Sequence, residues 1–392
     1  MQILELPKPS DIEQQHSEQL IGLIKNEIAA SQGWISFSRY MELALYAPGL
    51  GYYSAGLQKF GEAGDFITAP EVSPLFAQSL AVPVAELLAT MEQPRLIEFG
   101  AGSGILAAEL LRALAAKNSL PDEYLIIELS AELKHRQQQA LQALVPEYCA
   151  RVRWLDSLPQ IKLNAVVLAN EVLDAMPVER FIKTEQGIEV LGVTWDEDRF
   201  RLQPATATES IRQAVEYIEV ENEYVFPVGY SAEINLHIRP WLAAIANILN
   251  QGAVYLIDYG YPRSEYYLPD RAAGTLMCYY RHRAHDDALC YPGLQDITAF
   301  VDFTDVAESA LSCGFDVEGF TSQGNFLLAC GITERVEAGS SSDERQQLLL
   351  VQQMKTLTMP EEMGERFKVM GLSYGLDRLL PGFDFRDYRH RL

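Results

Sequence analysis

The residues of this sequence best placed to do chemistry are four acids, each at the end of a short apolar run. Glu98 ends RLIE, Glu128 ends YLIIE, Asp156 follows RVRWL, and Asn170-Glu171 follows the run Ala165 to Ala169. After Glu98, glycines stand at every second position, Gly100, Gly102 and Gly104, and an amphipathic pattern then runs from Ile105 to about Ala116. Glycine permits unusual backbone angles and lets a ligand approach where a Cβ would block it. Strand, tight glycine turn and helix together open a nucleotide-type site in an α/β sheet, where ligands bind outside the carboxyl ends of the strands.

Two ligand classes compete for that turn, a dinucleotide and S-adenosylmethionine. The dinucleotide fingerprint fails when counted from Gly100, because Ile105 stands where the third glycine belongs, but it is recovered from Gly102 as Gly102-x-Gly104-x-x-Ala107. Charge separates the two better. A pyrophosphate needs backbone N–H groups and a positive helix end, and Glu98 sets a carboxylate beside the turn. The ammonium and sulfonium of S-adenosylmethionine are attracted by the same carboxylate. Glu128, with Leu129 beside it, follows Gly104 by 24 residues, the spacing of an acid that accepts hydrogen bonds from ribose hydroxyls, and it suits either ligand. Asp156 and Ser157 are candidates for the adenine amino group, and Asn170-Glu171 lie where an acceptor would arrive. As a set, these residues favour S-adenosylmethionine. Glu171 and Asp174, three residues apart, are expected on one side of a helical turn; the alternative is a helix N-terminal carboxylate and a capping acid.

The elements that position these acids alternate. Apolar residues at helical spacing predict a helix over about 14–30 and a second over Phe37 to Leu45. From Tyr46 to Phe76 the chain carries scattered glycines, prolines and aromatics without a period, which reads as an ordered loop over a site, with Gly64, Asp65, Phe66, Thr68 and Glu71 as candidates. A helix from about Leu75 to Met91, bent at Pro83, leads into four strands separated by helices. Such alternation predicts an α/β fold with a parallel, Rossmann-like sheet. After Met176-Pro177 the pattern breaks into antiparallel runs over 179–205, a charged helix over 208–221 and a helix over Ser231 to Asn250. A fifth strand, Ala253 to Ile257, closes on Asp258. A loop rich in Tyr, Arg and His, a helix near Val306 to Cys313, a strand pair at Phe315–Phe320 and Phe326–Cys330, and a helical tail complete the chain. The organisation expected is an N-terminal helical region with its glycine-rich loop (1–75), a first half of the core (76–177), an inserted α+β region that selects substrate (178–250), a second half of the core (251–331) and a tail (332–392).

The 392 residues carry a formal net charge of −23 and are 48% hydrophobic. A buried core is expected. No basic stretch suits a phosphate backbone, so nucleic acid is not an expected partner, and a basic protein suits the field better. The five cysteines include no Cys-x-x-Cys pair, which predicts reduced thiols. The first residues have no secretory or transit pattern, and no apolar run reaches spanning length. A cytoplasmic protein without membrane insertion is the expectation.

Five motifs occur in order: GDFITAPEVS (Gly64 to Ser73), IEFGAGSGILA (Ile97 to Ala107), NEVLDAMPVERF (Asn170 to Phe181), IDYGY (Ile257 to Tyr261) and HRAHDD…PGLQDITAFVDF (His282 to Phe303). Together they resemble the MidA-like methyltransferases over roughly residues 15 to 392. Ala101 departs from the proline expected between the first two glycines. The resemblance implies a seven-stranded methyltransferase fold, S-adenosylmethionine as donor and, as in the mitochondrial member that assists complex I assembly, an arginine of a respiratory-complex subunit as acceptor. A protonated guanidinium has no free lone pair and a pKa above 12, so carboxylates must orient it and take its proton. Glu171 and Asp174, with Asn170, are the residues expected in that role. Glu71, Asp258, His282 and His285 are expected near the acceptor. The spacing of Cys278, His282, His285 and Cys290 fits no common zinc pattern, and no metal is expected. An NAD-dependent enzyme and a methyltransferase-fold assembly chaperone with little catalysis are the rival readings. The methylated protein and the oligomeric state are left open by the residues themselves.

Overall fold

The computed structural model describes residues 6–55, 68–338 and 344–392. They form two compact units, each drawn from distant parts of the chain. The first comprises the described residues up to 55, Asp174–His237 and Tyr261–Asp302; the second comprises 68–173, Ile238–Gly260 and the described residues from 303 to 392.

The second unit holds the expected sheet. Its strands are β1 Arg95–Phe99, β2 Glu123–Ile127, β3 Val152–Leu155, β4 Leu163–Asn170, β5 Leu249–Tyr261, β6 Asp316–Ser322 and β7 Phe367–Tyr374, lying in the order β6-β7-β5-β4-β1-β2-β3. From β3 across to β5 the neighbours run parallel, while β7 runs antiparallel to both β5 and β6. Chain order reverses at β1, between β2 and β4, and the carboxyl ends there form the crevice in which open α/β sheets bind ligands. β1 and β4 are buried along almost their whole length, as expected of strands covered on both faces. Leu96, Val166 and Tyr255 of the sheet share one core with Leu80, Val84, Leu106 and Leu110 of the flanking helices. The flanking helices include α1, Ile105–Ala116, and α2, Ala131–Leu144.

Several expectations change. Phe326–Cys330 is not a strand: Gln323–Ala329 is a helix, capped by the Ser322 hydroxyl, which accepts the Asn325 N–H at 3.4 Å. The partner of β6 is instead β7, in the stretch expected to be a helical tail. β7 is buried at six of its eight residues, the polar Lys368 and Ser373 among them, and a short run buried on both faces does not distinguish strand from helix by period. The helix expected over Ser231 to Asn250 is also divided. Ser231–Ile234 is a strand paired with Glu179–Thr184, where the Ser231 hydroxyl donates to the Phe181 carbonyl at 2.8 Å, and the helix covers only Ile238–Ile248.

The first unit begins with the helix Asp11–Ala30, whose Ser10 and Glu13 form a reciprocal capping box. One antiparallel sheet sets Ile35–Ser36, Gly187–Asp196, Glu179–Thr184 and Ser231–Ile234 side by side, with Arg199–Thr206 also on Gly187–Asp196. A second joins Arg283–His285, Met277–Tyr280 and Asp296–Thr298. Among the described residues, no helix is long and apolar enough to cross a membrane.

Candidate functional site

The turn after β1 is built as its glycines require. Gly100, Gly102 and Gly104 have φ of 61°, 52° and 83°, all in the left-handed region. A Cβ on Gly104 would stand 3.1 Å from the Cα of Gln137, so the turn and α2 approach closely only because the side chain is missing. Ala101 is buried and its carbonyl accepts the Gly104 N–H at 2.7 Å, so the turn closes without the proline. Glu98, 2% exposed, accepts a hydrogen bond from the Tyr124 hydroxyl at 2.8 Å. Burial raises its pKa from the usual 4.5 to about 7; the Tyr124 bond opposes the rise and the Glu128 charge adds to it.

Glu128 is buried and doubly held. One carboxylate oxygen accepts the Ser130 N–H and the other the Gln137 amide, both at 2.9 Å. Gln137, on α2, also donates to the Gly102 carbonyl at 3.1 Å and accepts from the Trp154 indole at 3.0 Å. Leu129, beside Glu128, is 76% exposed. Asp156 is exposed and ion-paired with Lys134 at 3.2 Å, and Ser157 is exposed next to it. Gln137 is not among the residues expected from the sequence, because it opens a run of three glutamines. The signal that could have found it is its place midway between Leu133 and Leu141, at four-residue spacing on the buried face of the helix.

At the end of β4, the Asn170 amide donates to the Glu171 carboxylate at 3.0 Å. Glu171 has φ of 53°, rare for a residue with a side chain, and its N–H donates to the Ile257 carbonyl at 2.9 Å. Asp258, expected near the acceptor, turns its carboxylate onto the backbone. Fully buried, it receives the Val172 and Leu173 N–H groups on one oxygen, at 3.2 and 2.9 Å, and the Tyr259 N–H on the other, at 2.9 Å. It organises the backbone immediately after Glu171. The helical turn expected to align Glu171 with Asp174 does not form either: residues 171–178 are an irregular turn, which the left-handed backbone at Glu171 enters without helical geometry.

Asp174 lies in the first unit, buried, with its carbonyl accepting the Ala299 N–H at 3.0 Å. In the same unit the Tyr53 hydroxyl meets both carboxylate oxygens of Asp296, at 3.0 and 3.1 Å. Burial chiefly, then the charges of Asp296 and Asp174 among others, hold the Tyr53 phenol well above its ordinary pKa. Tyr53 and Asp296 also escape sequence reasoning, although Asp296 sits inside one of the five motifs. His282 is exposed at φ of 60° in the two-residue turn before Arg283–His285. Burial lowers the pKa of His285 against the opposing charges of Asp287 and Asp286. In the second unit, Glu71 accepts the Thr68 N–H at 3.4 Å as a local helix cap. Gly64, Asp65 and Phe66 lie outside the described residues. Among the described residues, no group of three or more His, Cys, Asp or Glu could hold a metal.

The second unit thus offers a left-handed glycine cradle, a buried carboxylate that a positive charge would ionise, a fixed carboxylate able to accept from hydroxyls, and an exposed leucine beside it. These fit a cationic amino-acid group joined to a nucleoside better than a pyrophosphate. The family described as "Putative S-adenosyl-L-methionine-dependent methyltransferase" matches residues 79–321. The mitochondrial protein arginine methyltransferase NDUFAF7 of Mus musculus is 32% identical over 377 residues, covering 87% of this chain and 81% of the relative. The Danio rerio protein of that name is 29% identical, covering 86% and 82%. A crystal structure from Burkholderia thailandensis, bound to S-adenosyl-homocysteine, is 45% identical and covers 99% of this chain and 100% of its own, with a TM-score of 0.94.

Proposed function

The chain belongs to this family of S-adenosyl-L-methionine-dependent methyltransferases, and from that premise we propose that its acceptor is an arginine side chain of a protein. The names of the mouse and zebrafish relatives support the acceptor, and a subunit of a respiratory complex is the acceptor this reading puts first. The observation that carries the chemistry is Glu171, held at the carboxyl end of β4 in a left-handed backbone with its carboxylate bonded by Asn170. A cytoplasmic setting belongs to the same reading and is supported by five cysteines, all free.

In this reading Glu98 faces the ammonium of the donor, Glu128 takes the ribose hydroxyls, Leu129 covers the adenine, and Asp156 and Ser157 stand at its edge. Burial of Glu98, with the Tyr124 bond working against it, leaves the carboxyl partly protonated near neutrality until a cation draws the proton off. The donor supplies a methyl on a cationic sulfur, which the acceptor nitrogen displaces in line. A guanidinium attacks only if its charge is localised away from the reacting nitrogen and its proton is accepted, because its pKa exceeds 12. Glu171 accepts that proton, and the Asn170 amide, donating to one of its oxygens, fixes the direction of the other. Holding the groups in register supplies several kcal/mol of the barrier reduction.

The test is labelling of a lysate from a strain lacking the protein, with tritiated S-adenosylmethionine and the purified chain. Label in a protein band that hydrolyses to methylarginine is expected. Label recovered in another amino acid or in a small molecule overturns the acceptor, and no label at all favours a chaperone without catalysis.

A further inference from the structure

We propose that Gln137 is a positioning residue for donor binding, a lock that joins the carboxylate of Glu128 to the glycine turn and acts on the donor through Glu128. The inference rests on the reading of Glu128 as the acid that takes the ribose hydroxyls.

The amide has one possible orientation. An indole N–H only donates, so the Gln137 atom 3.0 Å from Trp154 Nε1 is the oxygen. A carbonyl and an ionised carboxylate only accept, so the Gln137 nitrogen faces the Gly102 carbonyl at 3.1 Å and the Glu128 carboxylate at 2.9 Å. Each amide hydrogen has one acceptor, and the reversed amide would turn its oxygen on two acceptors while leaving the indole unmatched. Trp154 on β3 therefore reinforces the orientation that Glu128 needs. Ser130, on the other oxygen at 2.9 Å, completes the grip, so that the Glu128 carboxylate is held from both sides.

The same side chain reaches the turn because of Gly104. Its missing Cβ would be 3.1 Å from the Gln137 Cα, so the left-handed glycine brings α2 against the loop. Gln137 is fully buried, and nothing but its three polar partners explains an amide on a face otherwise formed by Leu133 and Leu141. A buried amide with every hydrogen engaged is costly to leave half-satisfied, and a network of this kind fixes geometry more than it adds stability. The turn, the ribose acid and β3 are thereby tied to one atom group: the carboxylate cannot rotate without breaking its bonds to Gln137 and Ser130, and Gln137 is itself held by the turn.

The experiment measures affinity for S-adenosylhomocysteine by titration calorimetry on the full chain, with thermal unfolding in the absence of ligand as the control for folding. The variants are Gln137→Met, Trp154→Phe, Glu128→Ala and each of the first two combined with Glu128→Ala. Gln137→Met is expected to weaken binding roughly tenfold to a hundredfold, the range for losing a hydrogen bond to a charged group. Trp154→Phe, which leaves the buried Gln137 oxygen without its donor, is expected to cost a few-fold. In the Glu128→Ala background both losses are expected to shrink to less than about twofold, because the group through which they act is gone. Equal losses in the two backgrounds mean that Gln137 only fills space, and overturn the proposal, as does tight binding by Gln137→Met alone. If Gln137→Met does not fold, Trp154→Phe and its double variant decide by the same comparison. Unchanged affinity in Glu128→Ala by itself removes the ribose reading, and with it this proposal, and is distinguishable because that variant leaves Gln137 in place.

Discussion

Glu98 shows how one buried acid can link donor binding to pH. Its pKa is raised to about 7 from the usual 4.5, first by burial, with the Tyr124 bond working against the rise. For a group raised on folding, the stabilisation is complete below the unfolded value and is lost as pH climbs through the folded one, so the window runs from 4.5 to about 7. Without ligand, Glu98→Gln, which stays neutral throughout, is expected to be more stable than the parent at pH 8 by up to roughly 3 kcal/mol, with the gap closing toward pH 5. Urea unfolding at the two pH values measures it, and a gap independent of pH contradicts the assignment. The ammonium that S-adenosylhomocysteine shares with the donor favours the ionised carboxylate, so affinity for S-adenosylhomocysteine in the parent is expected to increase as pH rises to about 7, and the Gln variant should lose that dependence along with at least about tenfold in affinity at pH 8.

At the scale of elements, the irregular segment after β4 is held at its start by Asp258 on β5 rather than by helical hydrogen bonds. Asparagine in its place keeps one acceptor oxygen for three N–H donors and turns an NH2 on the rest. Asp258→Asn is expected to cost about 1–3 kcal/mol in unfolding free energy and to lower kcat more than donor affinity, since the backbone at Glu171 loses its restraint. Equal kcat would mean that Glu171 is positioned by other contacts. Much of this architecture is legible in the sequence. The glycines of the turn, the apolar runs closing on acids and the alternation of strand with helix come from local residue chemistry, and β1 to β5 appear where those signals stand. Less is legible where pairing across the chain decides. β7 and Ser231–Ile234 are short runs without a clear period whose strand state comes from neighbours far away in sequence, and Gln323–Ala329 is helical although Phe326–Cys330, taken alone, reads as a short apolar run. At the site, Glu98 and Glu128 are visible through their position at strand ends. Gln137 and Tyr53 are not, because a lone polar residue acquires its role from the groups folding brings to it.

For the whole molecule, the formal net charge of −23 is a long-range field that suits a basic acceptor and repels a phosphate backbone. If a positively charged protein segment is the acceptor, KM for that protein is expected to rise several-fold between low and high salt while kcat holds, because screening weakens encounter between exposed charges. A KM insensitive to salt would indicate an acceptor recognised without charge. The described groups assigned to donor binding, Glu98, the glycine turn, Glu128 and Gln137, all lie in the second unit. Glu171 also lies there, at the edge of the donor machinery but apart from the groups assigned to hold the donor. The most direct test of Glu171 as the proton acceptor is therefore a side-by-side measurement on Glu171→Gln of S-adenosylhomocysteine affinity and of tritiated methyl transfer to the lysate protein. Affinity within a few-fold of the parent and transfer abolished are the expected results; a Glu171→Gln enzyme that transfers methyl groups at the parent rate would contradict the assignment.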